Sequence, residues 1–464
     1  MSANLSKEYG FVVSSSADWG LDLCTYPMSI MIASGGICAA LFGKWTMKVG
    51  TRFSLTCGGV LIGSAFALTA LGVQTHSLPL VYAGNTLFGI GFGMTYTPPI
   101  QALMEWFPDK RGMASGIVIS GFGSGALFFA PMMNMLSAKY AKMPEFLGKS
   151  IETVNEGGKL FIKIGDGMQE VVYATTSDLA KLPYPELSEG FYLVGSGNTG
   201  IAGAMATIAA IYGVTVMTSG LFIGNPAPKY VPQGWTPPAT STGGSENNVN
   251  VSTVMKTPQF WLLFSTSTLL MTGGMGLMSV AKPMISEVFS SSMPSIVTSS
   301  FASSYLLVLA GGNLGGRLIW PVMSDKIGQQ ATFNCFTFGL APIFATMPYC
   351  INQVVMNPSD PMAKVYLGIF CGSTVAAISI MGGTFAVLPP YEAKLYGPKY
   401  VQAIHGRFLV AASLSTIIGP SLLLNLRKAA ESSAIQGKMT TIFGSYFPIL
   451  KIKKTNINLY LPTT

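Results

Sequence analysis

Gly43-Lys-Trp-Thr-Met47-Lys48-Val-Gly50-Thr-Arg52 joins one long apolar run to the next. A worn copy, Pro321-Val-Met-Ser-Asp325-Lys326-Ile-Gly328-Gln-Gln330, does the same about half a chain later, with Lys326 and Gly328 in the register of Lys48 and Gly50. A second repeat follows in the same order. Pro98-Pro99-Ile-Gln-Ala-Leu-Met-Glu105-Trp106-Phe-Pro108-Asp109-Lys110-Arg111-Gly112 closes one apolar run and opens another. Pro389-Pro390-Tyr-Glu-Ala-Lys-Leu-Tyr-Gly397-Pro398-Lys399-Tyr-Val-Gln-Ala-Ile-His405-Gly406 does likewise. In each, a Pro-Pro pair leads to a turn with Pro and Lys, then to Gly at a helix start. Two repeats in one order predict a duplicated chain with two similar halves.

Working outward, the runs themselves predict a membrane protein. Of 464 residues, 49% are hydrophobic and only 10% charged, against about 25% charged in a soluble domain. Uncharged runs long enough to cross the hydrocarbon core as helices fall at roughly 24–42, 53–73, 79–104, 113–136, 200–223, 259–281, 297–322, 331–351, 363–390 and 402–426. The 53 glycines suit helices that pack closely in lipid. A β-barrel would need alternating segments of about 10 residues, and these runs are continuous. A repeated multi-span chain of this kind is the architecture of secondary transporters.

The net charge of +8 sits in short loops, so no nucleic-acid surface is expected. Lys44, Lys48, Arg52, Lys110, Arg111, Lys229, Lys256, Lys326, Lys394 and Lys399 fall on one side of the spans, and only Lys282 and Lys364 occupy short loops on the other. The positive-inside rule makes the first side cytosolic. The six cysteines lie in or beside spans without metal-ligand spacing and read as small buried hydrophobes. No metal or cofactor is expected. Residues 1–22 lack an apolar core and read as neither leader nor span.

Residues 224–258, rich in Pro, Gly, Ser and Asn, read as a cytosolic linker. It divides an N-terminal bundle, 1–223, from a C-terminal bundle, 259–426, with 427–464 as a polar tail. A long insertion, 137–199, is placed outside the cytosol. Within it Lys159-Leu-Phe-Ile-Lys-Ile-Gly165-Asp-Gly167-Met-Gln-Glu-Val-Val-Tyr-Ala carries a hairpin signal and predicts a small exposed β cap, read as a spacer rather than a binding module.

The stretch 43–52 resembles the loop signature between the second and third helices of the major facilitator superfamily, with Met47 where that signature carries Asp. The C-half copy keeps Asp325 and ends in Gln330 where the signature has a basic residue. Glu105-Trp-Phe-Pro-Asp-Lys-Arg-Gly-Met-Ala-Ser-Gly116, Gly316-Arg-Leu-Ile-Trp-Pro-Val-Met-Ser-Asp-Lys-Ile-Gly328 and Tyr396-Gly-Pro-Lys-Tyr-Val-Gln-Ala-Ile-His-Gly-Arg407 resemble the oxalate/formate antiporter family within it. The resemblance implies an all-α polytopic fold of two pseudo-symmetric bundles. Of the superfamily's twelve helices it matches about ten, the first and twelfth being expected as missing from this chain. It also implies alternating-access transport of small organic anions, mono- or dicarboxylates such as oxalate, formate, lactate and pyruvate. A receptor-like or inactive relative is the alternative. The expected partners are that anion and a lipid bilayer, of the plasma membrane or an organelle, for a monomeric chain that is not an enzyme.

Ionisable residues inside the spans are few: Arg317, His405 and Arg407, with Lys364 at an edge. Each charge costs about 2.5–3.5 kcal/mol at a helix centre and so needs a purpose. Arg317 lies eight residues before Asp325 and Arg407 eight after Lys399, which puts both about 12 Å from the cytosolic interface. Two guanidiniums at one depth would suit a carboxylate, which Arg grips with a bidentate fork. Relatives are thought to use an Arg on the eighth helix and a Lys on the eleventh. Arg317 matches the first, Ala411 and Ala412 stand near the second, and Arg407 is the substitute. Two readings stand for each arginine. Arg317 binds anion or bonds carbonyls and anchors the Asp325 loop, and Arg407 binds anion or snorkels to the surface. His405 is either a proton carrier or a satisfied interfacial residue, and no carboxylate is expected deep in a span. Tyr96, Tyr305 and Phe92 are candidates for an aromatic cage or for packing. Gly43, Lys48, Gly50, Arg52, Glu105, Asp109, Lys110, Arg111, Asp325, Lys326 and Gly328 form the expected gating loops. Gly121-Phe-Gly123-Ser-Gly125 is expected to be a close-packing face.

Overall fold

The structure is a computed structural model that describes Trp19, Leu23 and residues 26–156, 159–164, 167–176, 187–227, 230–235, 248–290 and 292–435. Its helices are α1 Tyr26–Gln74, α2 Leu78–Trp106, α3 Arg111–Tyr140, α4 Ile201–Phe222, α5 Val251–Val254, α6 Pro258–Phe289, α7 Ser299–Ile327, α8 Gln329–Met356, α9 Ala363–Tyr396 and α10 Val401–Ile435. A straight helix of 49 residues would run about 74 Å, far beyond a membrane. α1 instead breaks at Gly50, with φ 84° and ψ 165°. Gly328, alone between α7 and α8, repeats that geometry at φ 91° and ψ 145°. Gly397, after α9, does so at φ 83° and ψ 151°. This backbone region is open essentially to glycine alone. The repeated Lys-x-Gly is thus one turn built twice, and the ten-residue stretches around it are helical apart from that single residue.

Among the described residues, eight helices are long and apolar enough to cross a membrane, with α1 counted once. α2, 29 residues, has the length but falls outside those eight, its apolar character diluted by Asn85 and by Gly84, Gly89, Gly91 and Gly93. Large apolar side chains face outward, among them Phe222 at 86% exposure and Phe338 at 75%. Such surface is tolerable in lipid and a liability in water.

The chain forms two compact units, one of residues up to 102 with 124–226, the other of 103–123 with residues from 227 on. In the first, α1 and α4 meet where a Cβ on Gly63 would lie 3.1 Å from the Gly213 Cα. Leu136, Ala204 and Ile208 form a core there, covered by Phe66, Phe129 and Tyr212. In the second, α7 and α9 close on each other at Gly316 and at Gly382, where any Cβ would strike the Ser379 and Asn313 carbonyls.

Between α3 and α4 lies a five-stranded antiparallel sheet in the order β1-β5-β4-β3-β2. Its strands are β1 Phe146–Gly148, β2 Val154–Glu156, β3 Lys159–Ile164, β4 Gly167–Ala174 and β5 Gly190–Leu193. The expected hairpin is present as β3 and β4, with Ile164 opposite Gly167; its turn, Gly165-Asp166, lies outside the described residues. The other three strands carried no comparable turn signal. At the sheet's root Lys142 and Asn198 exchange two backbone hydrogen bonds of 2.9 Å. Beside it, hydrogen bonds from Thr176 Oγ1 and then Tyr173 Oη hold the Glu189 carboxyl below its ordinary range.

Three expectations need adjusting. The Pro389-Pro390 pair does not end its span, for α9 runs on from the expected 390 to Tyr396, because neighbouring helices and hydroxyls satisfy backbone freed by proline in membrane helices. α10 continues to Ile435, into residues read as polar tail; 436–464, the middle of the linker and Cys24 lie outside the described residues. Of the Gly121, Gly123 and Gly125 face, only Gly123 is a close approach, the other two meeting open space.

Candidate functional site

Arg317 stands where α3, α7 and α9 meet in the second unit. Glycines on α3 make the approach possible. A Cβ on Gly116 would sit 2.8 Å from the Arg317 carbonyl, and one on Gly123 would sit 3.0 Å from its Cδ. The half-buried guanidinium donates from Nε to Asn313 Oδ1 at 3.1 Å, one helical turn back. It also donates from Nη1 to the Ile119 carbonyl at 3.0 Å, and lies 5.3 Å from the Phe385 ring centre, within cation–π range. The carbonyl bond realises one of the two roles expected of this residue, and it fixes the fork in direction. Asn313 is a partner that the sequence reading passed over; its i−4 spacing from the only arginine in the run was the available signal.

Arg407 points elsewhere. Its Nη1 donates to the Ala403 carbonyl at 2.6 Å, one turn toward the start of α10, and its Nε reaches Met255 Sδ at 3.1 Å. Met255 follows the short helix α5, before α6 begins. Arg317 and Arg407 therefore have different partners, and a shared carboxylate clamp does not follow from their equal helix counts.

His405 meets a carboxylate. Its Nδ1 is 3.1 Å from Glu392 Oε1, with the side chains 3% and 0% exposed. A carboxylate is therefore buried near the end of α9, past the limit of 390 expected for that span. Glu392 was read as turn because it follows Pro389-Pro390, whereas α9 carries it inside. Tyr305, 4% exposed, donates its hydroxyl to Thr374 Oγ1 at 2.8 Å. Its polar end is thus committed to a bond between α7 and α9. Tyr96, also 4% exposed, packs at a tilt against Phe92, with ring centres 5.2 Å apart, in the first unit.

The gating residues divide similarly. Asp325 accepts the first-turn N–H groups of α3, from Gly112 at 2.9 Å and Met113 at 2.8 Å. Ser115 ties the same turn to the Ala386 carbonyl of α9 at 2.7 Å. Lys110 and Asp109 are exposed, Glu105 and Arg111 half-buried, and Lys326 exposed beside its Gly328 turn. In the first unit Gly43 is buried, Lys48 and Arg52 are exposed, and Thr51 donates to Asn225 Oδ1 at 2.8 Å beyond α4. Met47, at the position of Asp325, has no oxygen with which to accept a backbone N–H.

A cleft of about 370 Å³ between α6 and α8 is lined by Thr266, Leu269, Gly273, Thr337, Ala341 and Phe344, among others. It holds no charged group and does not include Arg317. No cluster of three or more metal-ligating side chains occurs among the described residues.

The family model described as "Major Facilitator Superfamily" matches residues 3–141. The oxalate:formate antiporter of Oxalobacter formigenes is 24% identical over 380 residues, covering 82% of this chain and 70% of that protein. Apicoplast pyruvate carrier 1 of Toxoplasma gondii is 24% identical over 398 residues, covering 84% and 67%. Among solved structures, the proton:xylose symporter XylE superposes with a TM-score of 0.57 at 12% identity, covering 96% of this chain and 87% of that one. At that identity the likeness speaks for the fold alone. Taking the repeated Gly turns, the outward apolar surface, the family model and these relatives together, the chain is an all-α multi-pass membrane protein with the fold of the major facilitator superfamily, and it is similar to transporters of that superfamily, the oxalate/formate antiporter family among them.

Proposed function

We propose that this transporter moves small organic anions, mono- or dicarboxylates of the size of formate, oxalate, lactate or pyruvate, by alternating access, with Arg317 as the cation that receives the carboxylate. The observation that carries the reading is a half-buried guanidinium ten residues inside the end of a membrane helix, aimed by Asn313 and the Ile119 carbonyl. An arginine kept at that depth against its insertion cost is a functional residue by default, and its planar fork matches a carboxylate. The names of the two relatives, one for oxalate and formate and one for pyruvate, support the same class of substrate. Arg407, held toward Met255, is left out of the anion site, and so is His405, which serves Glu392.

The test is counterflow of labelled oxalate, formate, lactate and pyruvate in proteoliposomes. Arg317→Gln is expected to slow exchange of the preferred anion by about 10–100-fold, the worth of a charge-assisted hydrogen-bonded contact. Arg317→Lys is expected to fall between, since the charge stays and the fork is lost. Wild-type rates in Arg317→Gln would remove this residue from the mechanism. Saturable binding of an anion without counterflow would instead favour a receptor.

A further inference from the structure

We propose that the Arg317 site is built for one negative charge, so that it takes monocarboxylates and turns dicarboxylates away, with Asn313 as the positioning residue. The inference rests on the anion reading above and narrows its substrate class. Arg317 stands where α3, α7 and α9 meet, and those three helices carry only two acidic residues, Asp325 and Glu392. Both are engaged elsewhere. Asp325 accepts the N–H groups of Gly112 and Met113, eight residues along α7 from Arg317, which is about 12 Å. Glu392 pairs with His405, seven residues beyond Phe385, the α9 ring that faces the guanidinium. The other basic residues of these helices, Arg111, Lys139, Lys326, Lys364 and Lys394, lie at helix ends.

Three neutral groups hold the guanidinium: the Asn313 amide oxygen, the Ile119 carbonyl and the Phe385 ring. They orient the fork without cancelling its charge. The identity of residue 313 matters most here. An aspartate would accept from Nε equally well and would neutralise the arginine, whereas an amide leaves the positive charge to a ligand. Asn313 is itself held in place. A Cβ on Gly382 of α9 would lie 2.7 Å from its Oδ1, so α9 packs against this side chain from the side opposite its own helix.

Charge balance then selects the ligand. One carboxylate on Arg317 makes the site neutral. A second carboxylate on the same molecule would leave a negative charge without a partner, and an uncompensated buried charge is strongly disfavoured. Arg407, the second cation that the sequence offered, is turned to Met255 and the Ala403 carbonyl. The site thus discriminates by charge before it discriminates by size.

Oxamate and oxalate provide the test, since they are alike in size and shape and differ by one charge at neutral pH. In proteoliposomes wild type is expected to exchange labelled oxamate, pyruvate and formate, and to exchange oxalate about 10-fold or more slowly than oxamate. Oxalate exchange at the oxamate rate overturns the proposal and leaves the anion reading standing. Asn313→Ala is expected to raise the half-saturating oxamate concentration about 3–10-fold, the worth of one hydrogen bond, with little change in maximal rate. A lower maximal rate at unchanged half-saturation would mark Asn313 as merely structural. Asn313→Asp keeps the bond and cancels the charge, and is expected to slow exchange of every anion about 10–100-fold. Unaltered exchange in that variant overturns the charge count. If wild type exchanges no anion, the transport reading fails by itself, and thermal unfolding in detergent with each anion judges the site. A midpoint raised by oxamate and not by oxalate, and unmoved by oxamate in Arg317→Gln, supports the proposal. Equal shifts with both anions, or with neither, overturn it. Should Asn313→Asp fail to fold, Asn313→Ala and the comparison of the two anions on wild type decide.

Discussion

Asp325 places a carboxylate against the positive end of α3, where both of its oxygens accept N–H groups that the helix cannot satisfy itself. The contact also joins α3 to the end of α7, next to the turn at Gly328. Asp325→Ala is expected to cost about 0.5–2 kcal/mol, the range for losing an N-terminal cap, with Asp325→Asn in between because one oxygen remains. Denaturant unfolding of the purified protein in detergent checks it, and a midpoint unchanged in Asp325→Ala would contradict the capping role. Residue identity announced Asp325, Arg317 and His405 as unusual, since each is a charged or titratable group in or beside an apolar run. Their partners were not announced. The Ile119 carbonyl carries no side-chain signal at all, and Glu392 was hidden behind a proline pair that looked like a terminator.

At the scale of elements, glycine turns organise the helices. Gly50 and Gly328 have open space around the position of a side chain, so their requirement is one of backbone alone. Gly328→Ala is expected to destabilise by about 1–3 kcal/mol, the cost of a side chain in that backbone region, and Gly50→Ala by a similar amount. Thermal unfolding reads both, and an L-alanine variant as stable as wild type would show that the turn relaxes to another geometry. The turns were legible as a repeated Lys-x-Gly. The length of the helices that flank the prolines was less so, because proline is a breaker in water and tolerated in a packed membrane helix.

At the scale of the whole molecule, two helical units carry one sheet inserted between α3 and α4. The sheet leaves and re-enters the helices at Lys142 and Asn198, already paired as neighbouring strands. Such a hydrogen-bonded pair can be closed by a two-residue turn. Replacing residues 143–197 with Asn-Gly is therefore expected to leave the helices folded and anion counterflow intact, which marks the sheet as a spacer. Loss of counterflow in a variant that still elutes as a single folded species would give the sheet a part in transport.

Much of this follows from the chain's local pattern. Membrane insertion, the helical class, the duplication and the positions of the rare charged residues are properties of composition, run length and short repeats, and each is readable without knowing what packs on what. Tertiary structure decided which charges meet. It turned Arg407 to Met255, gave Arg317 the Ile119 carbonyl, and joined Glu392 to His405 across the Gly397 turn. Those outcomes depend on helix rotation and on a few ångströms of approach allowed by glycine, quantities that no one-dimensional pattern encodes.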